Sequence, residues 1–183
     1  DSVTYIGECA FCGCTNLKKI VIPDGITSIE GSVFYGCTSL TEITIPDSVT
    51  SIWSSAFRGC SSLTEITIPD RVTSIGDSAF YSCTSLTEIT IPDSVTNIEG
   101  FVFTDTPWLT AKQEEDPLVI LNGTLIDGTT CTGSVTIPDG VTSIAGGAFD
   151  SCTGLTAIAI PKSVTSIGDS AFYRCTSLTE ITI

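Results

Sequence analysis

Nine cysteines and 21 carboxylates are the reactive side chains of this chain, and no histidine accompanies them. Cys14, Cys37, Cys60, Cys83, Cys152 and Cys175 share one phase of a 23-residue period. Residues in one phase of stacked coils point the same way about 4.8 Å apart, whereas a disulfide needs sulfurs about 2 Å apart and side chains turned together. The spacing therefore predicts a row of buried free thiols acting as small apolar groups. Cys9 and Cys12 lie outside that phase, as does Cys131, and with Cys14 they read Cys-x-x-Cys-x-Cys. Three thiolates hint at zinc, which takes four ligands, but there is no histidine to complete the set. A local disulfide or plain thiols are the favoured readings, and no metal site is assigned.

The carboxylates fall into rows. Glu42, Glu65, Glu88 and Glu180 occupy one position, flanked by threonines, and Asp24, Asp47, Asp70, Asp93 and Asp139 occupy another, after proline. The aspartates read as turn formers. Stacked glutamates repel by fractions of a kcal/mol when solvated, so the row reads as a solvated acidic face, with calcium ligation the sharper alternative. There is no general base of the histidine type, no phosphate-binding glycine motif and no nucleophile elbow. The expectation is a noncatalytic protein with no cofactor.

A formal net charge of -14 disfavours nucleic acid and anionic membrane surfaces as partners. No apolar run reaches the roughly 18 residues of a membrane span. Residues Asp1 to Ile6 lack the basic and apolar regions of a signal peptide, so this segment carries neither leader nor anchor pattern.

The elements that position these rows follow from the repeat. Pro23, Pro46, Pro69 and Pro92 are evenly spaced, and Pro138 and Pro161 continue the register after a double interval, so one unit is rewritten. A fixed period in this range means a solenoid whose coils cover one another's apolar faces. In each coil Leu40, Ile43, Ile45, Val49, Ile52, Ala56, Phe57 and Cys60, or their equivalents, form the expected core. Alternation over residues 42–45 predicts a short strand with Ile43 and Ile45 inward, ended by Pro46. Residues 49–52 fit a second short strand or extended turn. Gly76-Asp77-Ser78 leads into a predicted helical or 3₁₀ turn at Ala79-Phe80.

Residues 106–133 interrupt the regular repeats of 1–105 and 134–183. Asp105-Thr106-Pro107 predicts the start of a short helix, which Asp116-Pro117 would stop. Asn122-Gly123 between two apolar runs predicts a β-hairpin. All 183 residues are expected to form a single solenoid domain.

The pattern Leu-x-x-Ile-x-Ile-Pro-x-x-Val-x-x-Ile-x-x-x-Ala-Phe-x-x-Cys resembles the BspA-like leucine-rich repeats over essentially the whole chain. The resemblance implies a right-handed leucine-rich-repeat solenoid, with a parallel β-sheet on one face and short strands, turns and 3₁₀ or helical turns on the other. It also implies a cell-surface or secreted location, and adhesion or binding to a host or extracellular partner, a protein or a glycan. The alternative is a structural stalk presenting another domain. The exposed sheet face offers Thr41, Glu42, Thr44, Glu65, Thr67, Glu88, Thr90 and Glu180 for binding. Possible aromatic contacts are Tyr35, Trp53, Tyr81, Trp108 and Tyr173.

Overall fold

The computed structural model describes residues 2–183. Contacts divide the chain into two compact units, Asp1–Ile98 with Val102–Thr110, and Glu99–Phe101 with Ala111–Ile183.

In the first unit each repeat contributes two short strands. The front strands are β1 (Lys19–Val21), β3 (Glu42–Thr44), β5 (Glu65–Thr67) and β7 (Glu88–Thr90). The back strands are β2 (Ser28–Ile29), β4 (Ser51–Ile52), β6 (Ser74–Ile75) and β8 (Asn97–Ile98). Pairing is parallel and in repeat register, as Ser51 with Ser74 and Ile66 with Ile89 illustrate. After Pro46 and Pro69 the chain turns with Val49 and Val72 amides donating to the proline carbonyls. Leu40, Val49, Ala56, Phe57 and Cys60 are fully buried, as the repeat predicts. Ile43 and Ile89 are only half-buried.

The helical or 3₁₀ turn expected at Ala79-Phe80 is replaced by a run of turns. Ser55, Ser78, Gly36 and Gly59 adopt positive φ, and so does Ser82. These left-handed residues point alternate amides in two directions. Ala79, Tyr81 and Cys83 donate within the coil, to Gly76, Ser78 and Phe80, while Phe80 and Ser82 donate to Val102 and Thr104 of the next coil. A helix would spend all of them internally. The alternation stacks the phenylalanines: Phe11, Phe34, Phe57, Phe80 and Phe103 lie face to face, with centroids 5.2 to 5.8 Å apart.

Helix α1 (Pro107–Glu115) begins where the sequence places it. Thr106 is its N-cap, its hydroxyl accepting from the Leu109 amide at 3.1 Å, and Pro107 fills the first helical position.

The second unit holds β9 (Val119–Leu121), β10 (Thr124–Asp127), β11 (Gly133–Thr136), β12 (Ser143–Ile144), β13 (Leu155–Ala159), β14 (Ser166–Ile167) and β15 (Glu180–Thr182). The expected hairpin is present: β9 and β10 are antiparallel, and Asn122 and Gly123, both at positive φ, form its tip. The hairpin joins the solenoid because β10 pairs in parallel with β12, which pairs with β14. The front ladder runs β11, β13, β15. Ile167, expected inward, is 44% exposed, since β14 has a paired strand on one side only.

Candidate functional site

The repeat phase buries Cys37, Cys60, Cys83 and Cys152 as free thiols and half-buries Cys175, but Cys14, expected in the same row, is exposed. Their packing is more than apolar. Cys60 Sγ donates to the Phe34 carbonyl at 3.2 Å and Cys83 Sγ to the Phe57 carbonyl at 3.1 Å, each reaching the preceding coil. Cys37 and Cys175 repeat the bond to Phe11 and Phe149. Burial pushes the Cys83 thiol up to about 12, and Cys60 is raised still further by burial and by its thiol neighbours. Such thiols are inert as nucleophiles.

A different buried group anchors the interruption. Asp127 accepts from Gln113 Nε2 at 2.8 Å and from the Thr129 amide and hydroxyl at 3.1 and 3.0 Å. Burial raises its pKa while these donors lower it. It ties the end of α1 to β10, so we assign it a structural part.

Open surface lies on the front of the first unit. There β1 pairs with β3, and β5 with β7, but the ladder is not continued between β3 and β5. The back ladder is unbroken across the same two coils, through β4 and β6. Elsewhere the Thr41 hydroxyl donates to the Lys18 carbonyl and the Thr87 hydroxyl to the Thr64 carbonyl. Thr64 makes no such bond to Thr41.

Behind the strands the same two coils stay in close contact. Of the ring stack, Phe57 and Phe80 are closest, at 5.2 Å. Gly76 lies so near the preceding coil that a Cβ would sit 2.6 Å from Ser54 N and 2.8 Å from the Trp53 carbonyl carbon. The two coils are thus close at the turn and back, while their front ladder is interrupted.

At the front lies a groove of about 420 Å³ lined by Glu42, Glu65, Glu88, Asp47, Pro69 and the threonines between them. Lys19 pairs with Glu42. Among the described residues, Glu65, Glu88 and Asp47 have no ion pair, so the groove carries surplus negative charge. Among the described residues, no three His, Cys, Asp or Glu side chains come together as metal ligands.

Of the residues picked from sequence, Thr41, Glu42, Thr44, Glu65, Thr67, Glu88 and Thr90 line this groove or the strands beside it, all exposed. Glu180 is exposed in the second unit, where its registered neighbour is Ala157. Tyr35, Trp53 and Tyr173 are exposed, and Tyr81 is half-buried under the Arg58 guanidinium, 4.4 Å from its ring. Trp108 does not belong with the exposed aromatics. It is buried against Phe103, with centroids 4.7 Å apart, and its amide is held by the Leu86 carbonyl. The groove had no signal in the sequence, because Thr64-Glu65-Ile66-Thr67-Ile68 repeats Thr41-Glu42-Ile43-Thr44-Ile45 letter for letter.

The model of the BspA type leucine rich repeat region matches residues 1–110 and 127–183, in six copies. The chain belongs to that family. Among solved structures, this BspA-type chain is similar to a leucine-rich repeat protein of T. pallidum, with 30% identity and a TM-score of 0.60 over 95% of this chain and 71% of that one. A leucine rich cell surface protein of Faecalibacterium prausnitzii matches at 29% identity and TM-score 0.48, covering 100% of this chain and 64% of that one. The pneumococcal vaccine antigen PcpA matches at 20% identity and TM-score 0.50, covering 91% and 50%. No curated protein sequence matches the chain. The matched family is a repeat family and indicates no catalytic class. Among the described residues, no helix is long and apolar enough to cross a membrane.

Proposed function

We propose that this BspA-type chain is a noncatalytic binding module of a cell-surface or secreted protein, and that its front face in the first unit takes a cationic segment of an extracellular or host protein. The observation that carries this reading is the acidic groove across β3, β5 and β7, where Glu65, Glu88 and Asp47 lack cationic partners among the described residues. Lysine or arginine side chains of a partner would supply the missing charge, and the threonine hydroxyls and open strand edges would supply polar contacts. The location is the one the family resemblance implies. The absence of histidine and the high pKa of the buried thiols support a role without catalysis.

Binding of the purified chain to immobilised oligolysine, and to a panel of extracellular-matrix glycoproteins and mucin, tests this by biolayer interferometry. Combined Glu65→Gln and Glu88→Gln is expected to weaken binding about tenfold and to flatten its salt dependence, while Glu180→Gln leaves it unchanged. Equal binding by all variants would refute the groove as the site. Absence of binding to every surface would favour the stalk reading.

A further inference from the structure

Three thiols stand apart from the buried row. Cys9, Cys12 and Cys14 are exposed, whereas Cys37, Cys60, Cys83, Cys131 and Cys152 are buried. The Cys12 amide donates to the Cys9 carbonyl at 3.0 Å, closing a four-residue turn. Such a turn holds its end Cα atoms within about 7 Å, and disulfides span about 4.4 to 6.8 Å between Cα atoms. The turn is pinned from the next coil at alternate residues: Cys9 N donates to Gly31 O at 3.1 Å, Phe11 N to Val33 O at 3.0 Å, and Gly13 N to Tyr35 O at 2.7 Å. Phe11, between the two cysteines, stacks on Phe34 at 5.6 Å. Cys9 and Cys12 therefore cannot drift apart without breaking bonds to the neighbouring coil.

We propose that Cys9 and Cys12 form a redox-active dithiol, which closes to an intramolecular disulfide by exchange with a disulfide-class oxidant such as oxidised glutathione. One thiol, as its thiolate, attacks a sulfur of the oxidant. A mixed disulfide forms and one glutathione thiolate leaves. The second thiol gives up its proton and attacks the mixed disulfide, releasing the other glutathione. Cys9 and Cys12 together lose two electrons and two protons, and one oxidised glutathione becomes two reduced ones. The fixed turn makes the second step effectively unimolecular, which favours the closed form over two separate mixed disulfides. Partial desolvation and the adjoining Cys9 sulfur hold the proton on Cys12. Cys12 consequently reacts faster as pH rises. The buried thiols stay out of the exchange because no oxidant reaches them.

The test equilibrates the full chain in glutathione redox buffers near pH 8, quenches with acid, alkylates under denaturant and maps the products by mass spectrometry. A Cys9–Cys12 link in the N-terminal peptide is expected, with neither residue alkylated and the buried Cys37, Cys60, Cys83, Cys131 and Cys152 alkylated. Cys14→Ser should leave that result unchanged. Cys9→Ser, which installs the residue found at the equivalent positions 32, 55 and 78, and Cys12→Ser should each abolish the link and leave the remaining cysteine of the pair as a mixed disulfide with glutathione. Far-UV circular dichroism of each variant confirms the fold. A link through Cys14, mixed disulfides on both Cys9 and Cys12, or a pair still reduced in fully oxidising buffer would each overturn the proposal.

Discussion

Replacing Phe57 with alanine tests the ring stack that holds the first unit together. Phe57 is fully buried, with Phe34 5.4 Å away on one side and Phe80 5.2 Å away on the other, at interplanar angles of 14° and 5°. Deleting a buried phenyl costs about 3–5 kcal/mol when the cavity cannot close, and each lost stacked pair is worth about 0.5–1.5 kcal/mol beyond area. Closure is opposed by the coil-to-coil bonds on both sides, Phe34 N to Ala56 O at 2.9 Å and Phe57 N to Ala79 O at 2.8 Å. We therefore expect Phe57→Ala to lose about 4–5 kcal/mol, the upper part of that range. Phe11→Ala is the internal comparison: Phe11 is half-buried and stacks on Phe34 alone, so its loss should cost about 1–2 kcal/mol. Urea denaturation followed by circular dichroism measures both. Phe57→Leu, expected to lose about 1.5 kcal/mol, keeps the comparison usable if the alanine variant unfolds. If Phe57→Ala and Phe11→Ala differ by less than about 1 kcal/mol, the rings are not a jointly buried column and the stacking account fails.

Two further outcomes follow from the same packing. Gly76→Ala should cost about 1–3 kcal/mol by driving a Cβ into the Ser54 and Trp53 backbone. Gly13→Ala, at φ +70 with nothing within 4 Å, should cost only the backbone strain of about 1 kcal/mol, and equal urea midpoints for the two would refute the close approach at Gly76. Stability should also fall with alkali. Cys83 titrates near 12 when folded against an ordinary 9.0, so between these values the native state binds more protons than the unfolded one. The contribution of this thiol is complete below pH 9.0 and is lost as pH rises toward 12. Urea midpoints measured from pH 8 to about 10.5 should decline, and Cys83→Val should make the decline shallower; identical slopes would contradict the burial of this thiol.

The repeat pattern established the register, the strand that opens at each repeated Glu, and the inward Leu, Val, Ala, Phe and Cys. It could do so because apolar positions in a solenoid are imposed coil by coil by the neighbours they must cover. The interruption was equally legible, since Thr106-Pro107 and Asn122-Gly123 act through local backbone preference. Repetition also hid things. Four coils share the letters Thr-Glu-Ile-Thr-Ile, yet in the first unit the ladder lapses only between β3 and β5. Only the assembled coils decided where the acidic groove opens. The hydrogen bonds of the buried thiols and the burial of Trp108 were likewise tertiary outcomes. Each depends on which carbonyl or ring the adjacent coil presents, and a residue's own letter does not carry that information.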